Sequence, residues 1–535
     1  MATRKHEPEV TGYYEQGFWR HADLWQDFDA RVEQRPDKPA LVCGDATLTF
    51  GEVRQAAAAL SARLAREGVK PGEVVGLCGR HSIEAVIALM ACFHRGAVLA
   101  LVPPMFSEQQ LRTLLRQNEA RALLGFGGEA AIEKCRAAAG DDVRLVALEA
   151  GDVPQLLAQD AAPERAPRDP DAMAVVLLSS GTTSTPKGIV HSTNTVRYAS
   201  EQVLARWGLG GDDCLLVITE FGFVGGLVFG YLPAVLSGAT AVLLPRWDVG
   251  EAVRLIERHG CTYTLLMPTH GADLLYCDEA DEHDLSSLRV LVSAGMSTER
   301  RIAMRDRFGL PPLGDYGLSE VPGNCSPAPD APWEKILTTD GLPFDGTDVR
   351  ILDDHDVPVA PGVQGHVVIN GPSRFLGFLG NDELTSSSLT DWRGYRTGDV
   401  GTLDADGYFT FVGRDKDIIR RGGLTIVPTE IEMVLLTHPS VRDVAVVGVD
   451  DERLGERACA ALILQPGAAA PALEELQRFL DEAGVGKYAW PERVEVFDEF
   501  PRTPSLKAVK RDIRAQIAAR IAATSQAQVA VAPSQ

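Results

Sequence analysis

Apolar residues along the first half of the chain recur at two periods. Residues 48–67 carry them at helical spacing and stop at Gly68, a position that suits the left-handed turn closing a helix. Residues 74–77 form a short continuous apolar run. Residues 82–95 return to the helical period and end at Gly96, and 97–102 are apolar up to Pro103-Pro104. Helical stretches alternating with short, wholly apolar runs predict strand–helix–strand units and a mostly parallel sheet covered on both faces. Residues 161–170 (AAPERAPRDP) read as a linker. The pattern resumes with the apolar run 174–178, the strand-like 214–218, the helix-like 250–259 ending at Gly260, and the strand-like 263–267.

From Val349 the texture changes to short alternating segments punctuated by Gly, Pro and Asp, as in a smaller β-rich piece. A further boundary is predicted near Lys416. Beyond it, Thr429 and Glu432 have capping-box spacing, which predicts a helix start; 444–449 is strand-like and 473–482 helical. The last dozen residues (TSQAQVAVAPSQ) are small and polar and predict a frayed tail.

The chain of 535 residues corresponds to about three or four domain-sized units, enough to bury large cores without staples. Its 52 Lys and Arg against 74 Asp and Glu give a net charge of −22, so the chain as a whole has no electrostatic pull on nucleic acid or an anionic membrane. The nine cysteines are odd in number and include no CxxC pair, which argues against a disulfide framework and a thiolate metal site. Residues 1–10 are polar and charged, and no apolar run approaches the ~20 residues that span a bilayer. These features predict a soluble cytoplasmic protein, a monomer or homodimer.

The strongest chemical signal is the stretch 179–188, Ser-Ser-Gly-Thr-Thr-Ser-Thr-Pro-Lys-Gly, directly after an apolar run. Small residues let backbone N–H groups approach a polyphosphate, hydroxyls donate, and Lys187 offsets charge. It is not a Walker A loop: Pro186 stands where the second glycine belongs and Gly188 where Ser or Thr belongs. The loop resembles the phosphate loop of the adenylate-forming superfamily, which includes acyl-CoA synthetases, aryl-acid AMP ligases, peptide adenylation domains and luciferases. Further segments follow in the same order: Asp315-Tyr316-Gly317-Leu318-Ser319-Glu320, Tyr395-Arg396-Thr397-Gly398-Asp399, the hinge-like run from Gly413 to Asp417 leading into Pro428-Thr429-Glu430-Ile431-Glu432, and Pro501-Arg502-Thr503-Pro504-Ser505-Leu506-Lys507. In isolation Asp399 reads as a turn residue and Lys507 as a solvated lysine; the order of the five segments favours the resemblance.

The resemblance implies a large α/β body, residues 1–414, with two helix-covered sheets and a β-rich subdomain. A small mobile α+β lid, 415–524, hinges near Lys416, and 525–535 form a flexible tail. It implies that ATP is cleaved to AMP and pyrophosphate with Mg²⁺, and that CoA is the second substrate. Ser180, Gly181, Thr182, Thr183 and Lys187 would hold phosphates, Tyr316 would stack on adenine, and Ser319 would hold the α-phosphate. Glu320 would ligate Mg²⁺, Asp399 would accept the ribose hydroxyls, Arg414 would reach ribose or phosphate, and Lys507 would bridge the attacking oxygen and the α-phosphate. Lys507, Thr183 and Glu320 are the catalytic candidates; Glu220, Phe221, Phe223 and Gly295 are the acid-pocket candidates.

Several positions depart from the family pattern. Glu220 stands at a usual proline, Phe223 at a usual gating histidine, Ser184 and Leu506 at usual glycines, and Ser319 at a usual threonine. The block 191–195 and the stretch 13–19 look most like ligases of cyclic and aromatic acids, and Phe221 and Phe223 favour a flat or cyclic acid by packing. A carboxylate facing a pocket for carboxylic acids repels its ligand. Either Glu220 faces inward and meets an amino group, or it points to solvent or pairs with an arginine. The functional expectation is an ATP-dependent ligase that activates an aromatic or cyclic acid, with or without an amino substituent, and passes it to CoA. The alternatives are transfer to a carrier protein, nitrite activation for diazotisation of an aryl amine, and a non-enzymatic nucleotide-binding module.

Overall fold

The computed structural model describes residues 3–149, 151–159, 165, 167–178, 187–422, 424–503 and 508–530. Two large sheets dominate. One has the spatial order Val290–Ser293, Tyr263–Leu266, Cys214–Val217, Thr240–Leu243, Pro39–Cys43, Ala46–Thr49, parallel throughout except for its last strand. The other runs Gly377–Phe378, Gly188–Ser192, Met173–Leu178, Val98–Val102, Val74–Cys78, Ala122–Gly125, Arg144–Ala147, parallel from Met173–Leu178 onward. The central strands Val74–Cys78 and Val98–Val102 are buried along their whole length, as continuous apolar runs require.

The helix Ile83–Arg95 is buried all round except at its termini, which fits a helix enclosed between layers rather than lying on a surface. The Ser82 hydroxyl accepts from the Ala85 N–H at its start, and Gly96 ends it in the left-handed conformation. One continuous core joins the facing sides of both sheets, with Leu41, Leu215, Val75 and Leu99 among its members. The expected helix over 48–67 begins later. Leu48 and Thr49 belong to the strand Ala46–Thr49, and the helix is Phe50–Arg66. Thr49 and Glu52 exchange a capping box, which fixes the start at Phe50.

The β-rich piece is a four-stranded antiparallel sheet of Asp348–Leu352, Gly365–Asn370, Tyr395–Leu403 and Phe409–Arg414. After it come Leu424–Ile426, Ile419–Arg421, Gly455–Leu464 and Val441–Asp451, with Arg493–Val496 alongside Gly455–Leu464. This small sheet has its own two cores. Ile431, Leu435, Leu476 and Leu480 cover one face, and Phe497, Phe500, Ile513 and Ile517 cover the other. The capping box expected at Thr429 is absent. The helix is Pro428–Leu435 with proline in its first turn, where φ is already helical, and Thr429 lies inside it. Glu432 instead accepts from the Val446 N–H at 2.5 Å and pairs with Lys510 at 2.7 Å. The final helix, Lys510–Ala530, carries regular backbone into the expected tail. Among the described residues no helix is long and apolar enough to cross a membrane.

The N-terminal segment is clamped to the body by buried charge. Arg4, 1% exposed, donates to the carbonyls of Gly371 and Arg374 and pairs with Glu7, which also pairs with Arg374 at 2.6 Å. Removing one member leaves the others buried and under-compensated. Arg4→Ala is therefore expected to lower the stability of the body by about 3 kcal/mol, read as a lower urea midpoint. An unchanged midpoint would show that the network contributes nothing.

Candidate active site

The strands Tyr395–Leu403 and Phe409–Arg414 pair so that Asp399 lies opposite Arg414. Gly398, at φ +71°, supplies the left-handed residue that turns the chain into Asp399, a conformation that strains any residue with a Cβ. Asp399 is 3% exposed. Its carboxylate accepts from the Tyr316 hydroxyl at 2.8 Å, and the Arg414 Nε lies 3.4 Å from its Oδ1. The Tyr316 ring packs against Phe409 and Phe411 at 4.5 and 5.9 Å between centroids. Its N–H donates to the Cys325 carbonyl. Two segments some eighty residues apart in sequence thus meet at one carboxylate.

Glu320 is placed by its backbone. The Ser319 carbonyl accepts from His191 Nε2 at 2.7 Å, and the Glu320 carbonyl accepts from the Phe375 N–H at 2.8 Å. Burial pushes the Glu320 carboxyl above its ordinary range; its own N–H, the Tyr395 hydroxyl and Arg414 oppose that rise. Burial pushes His191 down to about 4, so the ring is neutral. Because the Ser319 carbonyl only accepts, Nε2 carries the proton, and Nδ1 accepts from the Thr195 hydroxyl at 3.1 Å.

Lys187 lies at the edge where Gly188–Ser192 pairs with Gly377–Phe378, with its Nζ 5.4 Å from the Phe378 ring centroid. Ser180, Gly181, Thr182 and Thr183 fall outside the described residues, as does Lys507. Lys416 sits on the single turn Asp415–Asp417; burial and the Arg414 charge lower its pKa, and Asp417 and Asp399 oppose that. The hinge candidate therefore stands beside the Asp399 cluster.

The pocket candidates separate. Phe221 is 2% exposed and packs in the body core against Phe126, 5.6 Å between centroids. Phe223 is partly exposed and precedes the short turn Val224–Gly226. Gly295, at φ +72°, follows the strand Val290–Ser293 and faces Pro268. Glu220 does not point to solvent: its side chain is 14% exposed and forms a long ion pair with Arg80, 4.0 Å away. It accepts from the His81 N–H at 2.8 Å, and burial pushes it up to about 7. Sequence reasoning singled out neither Tyr395 nor His81 as a functional residue, and found His191 only as part of a resembling block; Tyr395 opens the third segment, whereas His81 carries no local signal.

Among the described residues no three His, Cys, Asp or Glu side chains gather as a metal cage. Glu320 suits a divalent ion in another way. A single enclosed carboxylate whose charge is disfavoured gains from a cation that takes its remaining ligands from substrate phosphates, as Mg²⁺ commonly does.

Residues 28–379 match the model of the AMP-binding enzyme family, and residues 430–507 match that of the AMP-binding enzyme C-terminal domain. The chain belongs to the AMP-binding enzyme family. It is therefore a member of the adenylate-forming superfamily and an ATP-dependent, AMP-forming acid ligase. It is 29% identical over 531 residues to the medium-chain fatty-acid–CoA ligase of Escherichia coli strain K12, covering 96% of this chain and 94% of that one. It is 31% identical over 487 residues to a feruloyl-CoA synthase of an Amycolatopsis species, covering 90% and 97%. The fold matches the anthranilate CoA ligase AuaEII in complex with anthranoyl-AMP, with a TM-score of 0.86 at 24% identity over 94% of this chain and 98% of that one.

One acid beside the Asp399 cluster is strained by its setting. Asp315 has a buried carboxylate oxygen without a hydrogen-bond partner, and burial, aided by the Asp340 charge, pushes it up to about 8. A carboxyl with a raised folded pKa takes up a proton on folding, so its contribution is complete below its unfolded value and is lost as pH rises towards 8. Asp315→Asn is expected to gain stability over the wild type between pH 5 and 8, by up to about 1.4 kcal/mol per pH unit. Parallel pH–stability curves for the two proteins would contradict the protonated assignment.

Proposed function

We propose that this AMP-binding enzyme activates an aromatic or cyclic carboxylic acid as its acyl-adenylate and then transfers the acyl group to CoA. The carrying observation is the meeting of Tyr316, Asp399 and Arg414 around one carboxylate, with Glu320 and Tyr395 adjoining. In the first step a carboxylate oxygen of the acid attacks the α-phosphorus of MgATP, a P–O bond to pyrophosphate breaks, and the mixed anhydride remains. Such transfers depend chiefly on positioning and on neutralising phosphate charge.

Asp399 is poised to accept both ribose hydroxyls, because its carboxylate is fixed by the strand pair and by Tyr316. Tyr316 presents a ring already backed by Phe409, which holds it rigid for adenine. Glu320 meets the metal that arrives with the triphosphate. Lys187 and the hydroxyl-rich stretch 180–183 hold the phosphates, and Lys507 bridges the two reacting oxygens. In the second step the CoA thiolate attacks the acyl carbon and AMP leaves. Lys416, beside the cluster and in front of a sheet with its own cores, is the pivot by which the small domain exchanges Lys507 for the CoA approach. The feruloyl-CoA synthase among the relatives supports an aromatic acid, as does the aromatic character of the 221–223 stretch.

Lys507→Ala is expected to reduce acid-dependent ATP–pyrophosphate exchange at least a hundredfold while circular dichroism and the melting temperature stay unchanged, because the lost group acts in the transition state. Full exchange in this variant would remove Lys507 from the reaction. Mass spectrometry of the products from ATP, Mg²⁺, a mixed aromatic-acid pool and CoA is expected to show an acyl-CoA; an acyl-AMP that persists with CoA present would refute the second step.

A further inference from the structure

The end of the strand Cys214–Val217 leads into a cluster of buried polar atoms that the adenylation chemistry leaves unused. Glu220 follows this strand, His81 follows Val74–Cys78 of the other large sheet, and Leu244 follows Thr240–Leu243. All three lie beyond the carboxyl ends of parallel strands, where α/β folds form their ligand crevices. His81 is 1% exposed and its Nε2 donates to the Leu244 carbonyl. The ring also lies within hydrogen-bonding reach of the Thr219 carbonyl, although its Nδ1 has no hydrogen-bond partner of regular geometry. The Thr219 hydroxyl and the Tyr231 hydroxyl, the latter on a side chain 1% exposed, are likewise buried without a partner.

The backbone around the cluster is built for close approach. Gly226 has no room for a side chain: a Cβ there would stand 2.2 Å from the Glu220 carbonyl oxygen. The next residues, Leu227–Tyr231, form a π-helical turn, a rare element that concentrates at functional sites. This turn carries Tyr231, whose ring stands edge-on to His81 at 6.5 Å between centroids.

The donor and acceptor balance identifies the missing partner. The Glu220 carboxylate only accepts when it is ionised, and burial pushes His81 down to about 4, so the neutral imidazole brings it no compensating charge. The hydroxyls of Thr219 and Tyr231 can accept as well. A group that fills this balance brings several protons, which an amino group does and a single hydroxyl does not. It also relieves a buried carboxylate held by the His81 N–H and by a long ion pair with Arg80.

We propose that Glu220, Thr219, His81 and Tyr231 form an amine-recognition subsite of the acid pocket, selecting an acid that carries an amino group distant from its carboxylate. The proposal rests on the adenylation reading and deepens it. Its pH behaviour follows from the groups facing Glu220: Arg80 and His81 from the turn after Val74–Cys78, Cys78 at the end of that strand, and Tyr231 from the π-helical turn. Since burial holds Glu220 near 7, the subsite strengthens as the carboxyl ionises from pH 6 to pH 8.

The test is ATP–pyrophosphate exchange on the full chain with benzoate, 3- and 4-aminobenzoate, 4-hydroxybenzoate, cyclohexanecarboxylate and 4-aminocyclohexanecarboxylate. The wild type is expected to favour at least one amino acid of the panel over its unsubstituted and hydroxylated counterparts at least tenfold in kcat/KM, mainly through KM. That ratio rises from pH 6 to pH 8. Glu220→Gln and Tyr231→Phe, which keep the shape of the side chains, each bring it towards one and flatten its pH dependence. Equal use of amino, hydroxy and unsubstituted acids by the wild type would overturn the subsite, as would an unchanged ratio in both variants. Exchange with none of the six acids would instead count against an aromatic or cyclic substrate, so the two failures are told apart.

Discussion

A carboxylate held almost out of water needs donors at fixed positions, and Asp399 receives them from distant parts of the chain. The Tyr316 hydroxyl comes from an extended segment bridged to Cys325, and Arg414 from the strand paired with that of Asp399. Taking a charge out of water is costly unless such partners are in place. The requirement therefore couples the body to the small antiparallel sheet. Lys416, two residues beyond Arg414, carries the same constraint to the start of the C-terminal sheet. A nucleotide bound at Asp399 consequently touches a junction and not the interior of a single layer.

The second acid, Glu320, is held by the main chain on both sides of its peptide. His191 and the Phe375 N–H each occupy one carbonyl, so the side chain projects from a backbone with little freedom to shift. Phe375 adjoins Arg374, which is tied through Glu7 to Arg4 near the N-terminus. The first residues of the chain thus support the backbone at Glu320 from behind. Fixed groups of this kind lower the reorganisation needed when phosphate charge is redistributed.

Much of the layered body was readable from periodicity, because fully buried strands and an enclosed helix leave continuous apolar runs. Local chemistry corrected the edges: the Thr49–Glu52 box moved a helix start by two residues, and Pro428 displaced the cap assigned to Thr429. The order of five motif segments pointed to Tyr316, Glu320 and Asp399. Nothing in the sequence reports which groups those residues meet. The partner of His191 is 128 residues away, that of Arg4 about 370, and the His81 N–H that binds Glu220 is 139 residues distant. Such pairings arise only from the packing of the two sheets. Glu220 could be seen as a departure from the family, but its near-neutral carboxyl and its unpartnered neighbours belong to the folded state alone.

The most direct measurement is calorimetric titration of the protein with MgATP and, separately, with magnesium-loaded 2′,3′-dideoxy-ATP. Both nucleotides carry the same base and triphosphate, so they differ only in the hydroxyls that Asp399 is arranged to accept. Loss of two hydrogen bonds to a buried carboxylate predicts at least tenfold weaker binding of the dideoxy nucleotide, about 1.4 kcal/mol or more. Equal affinity for the two, or no heat with MgATP, would contradict a nucleotide site centred on Asp399.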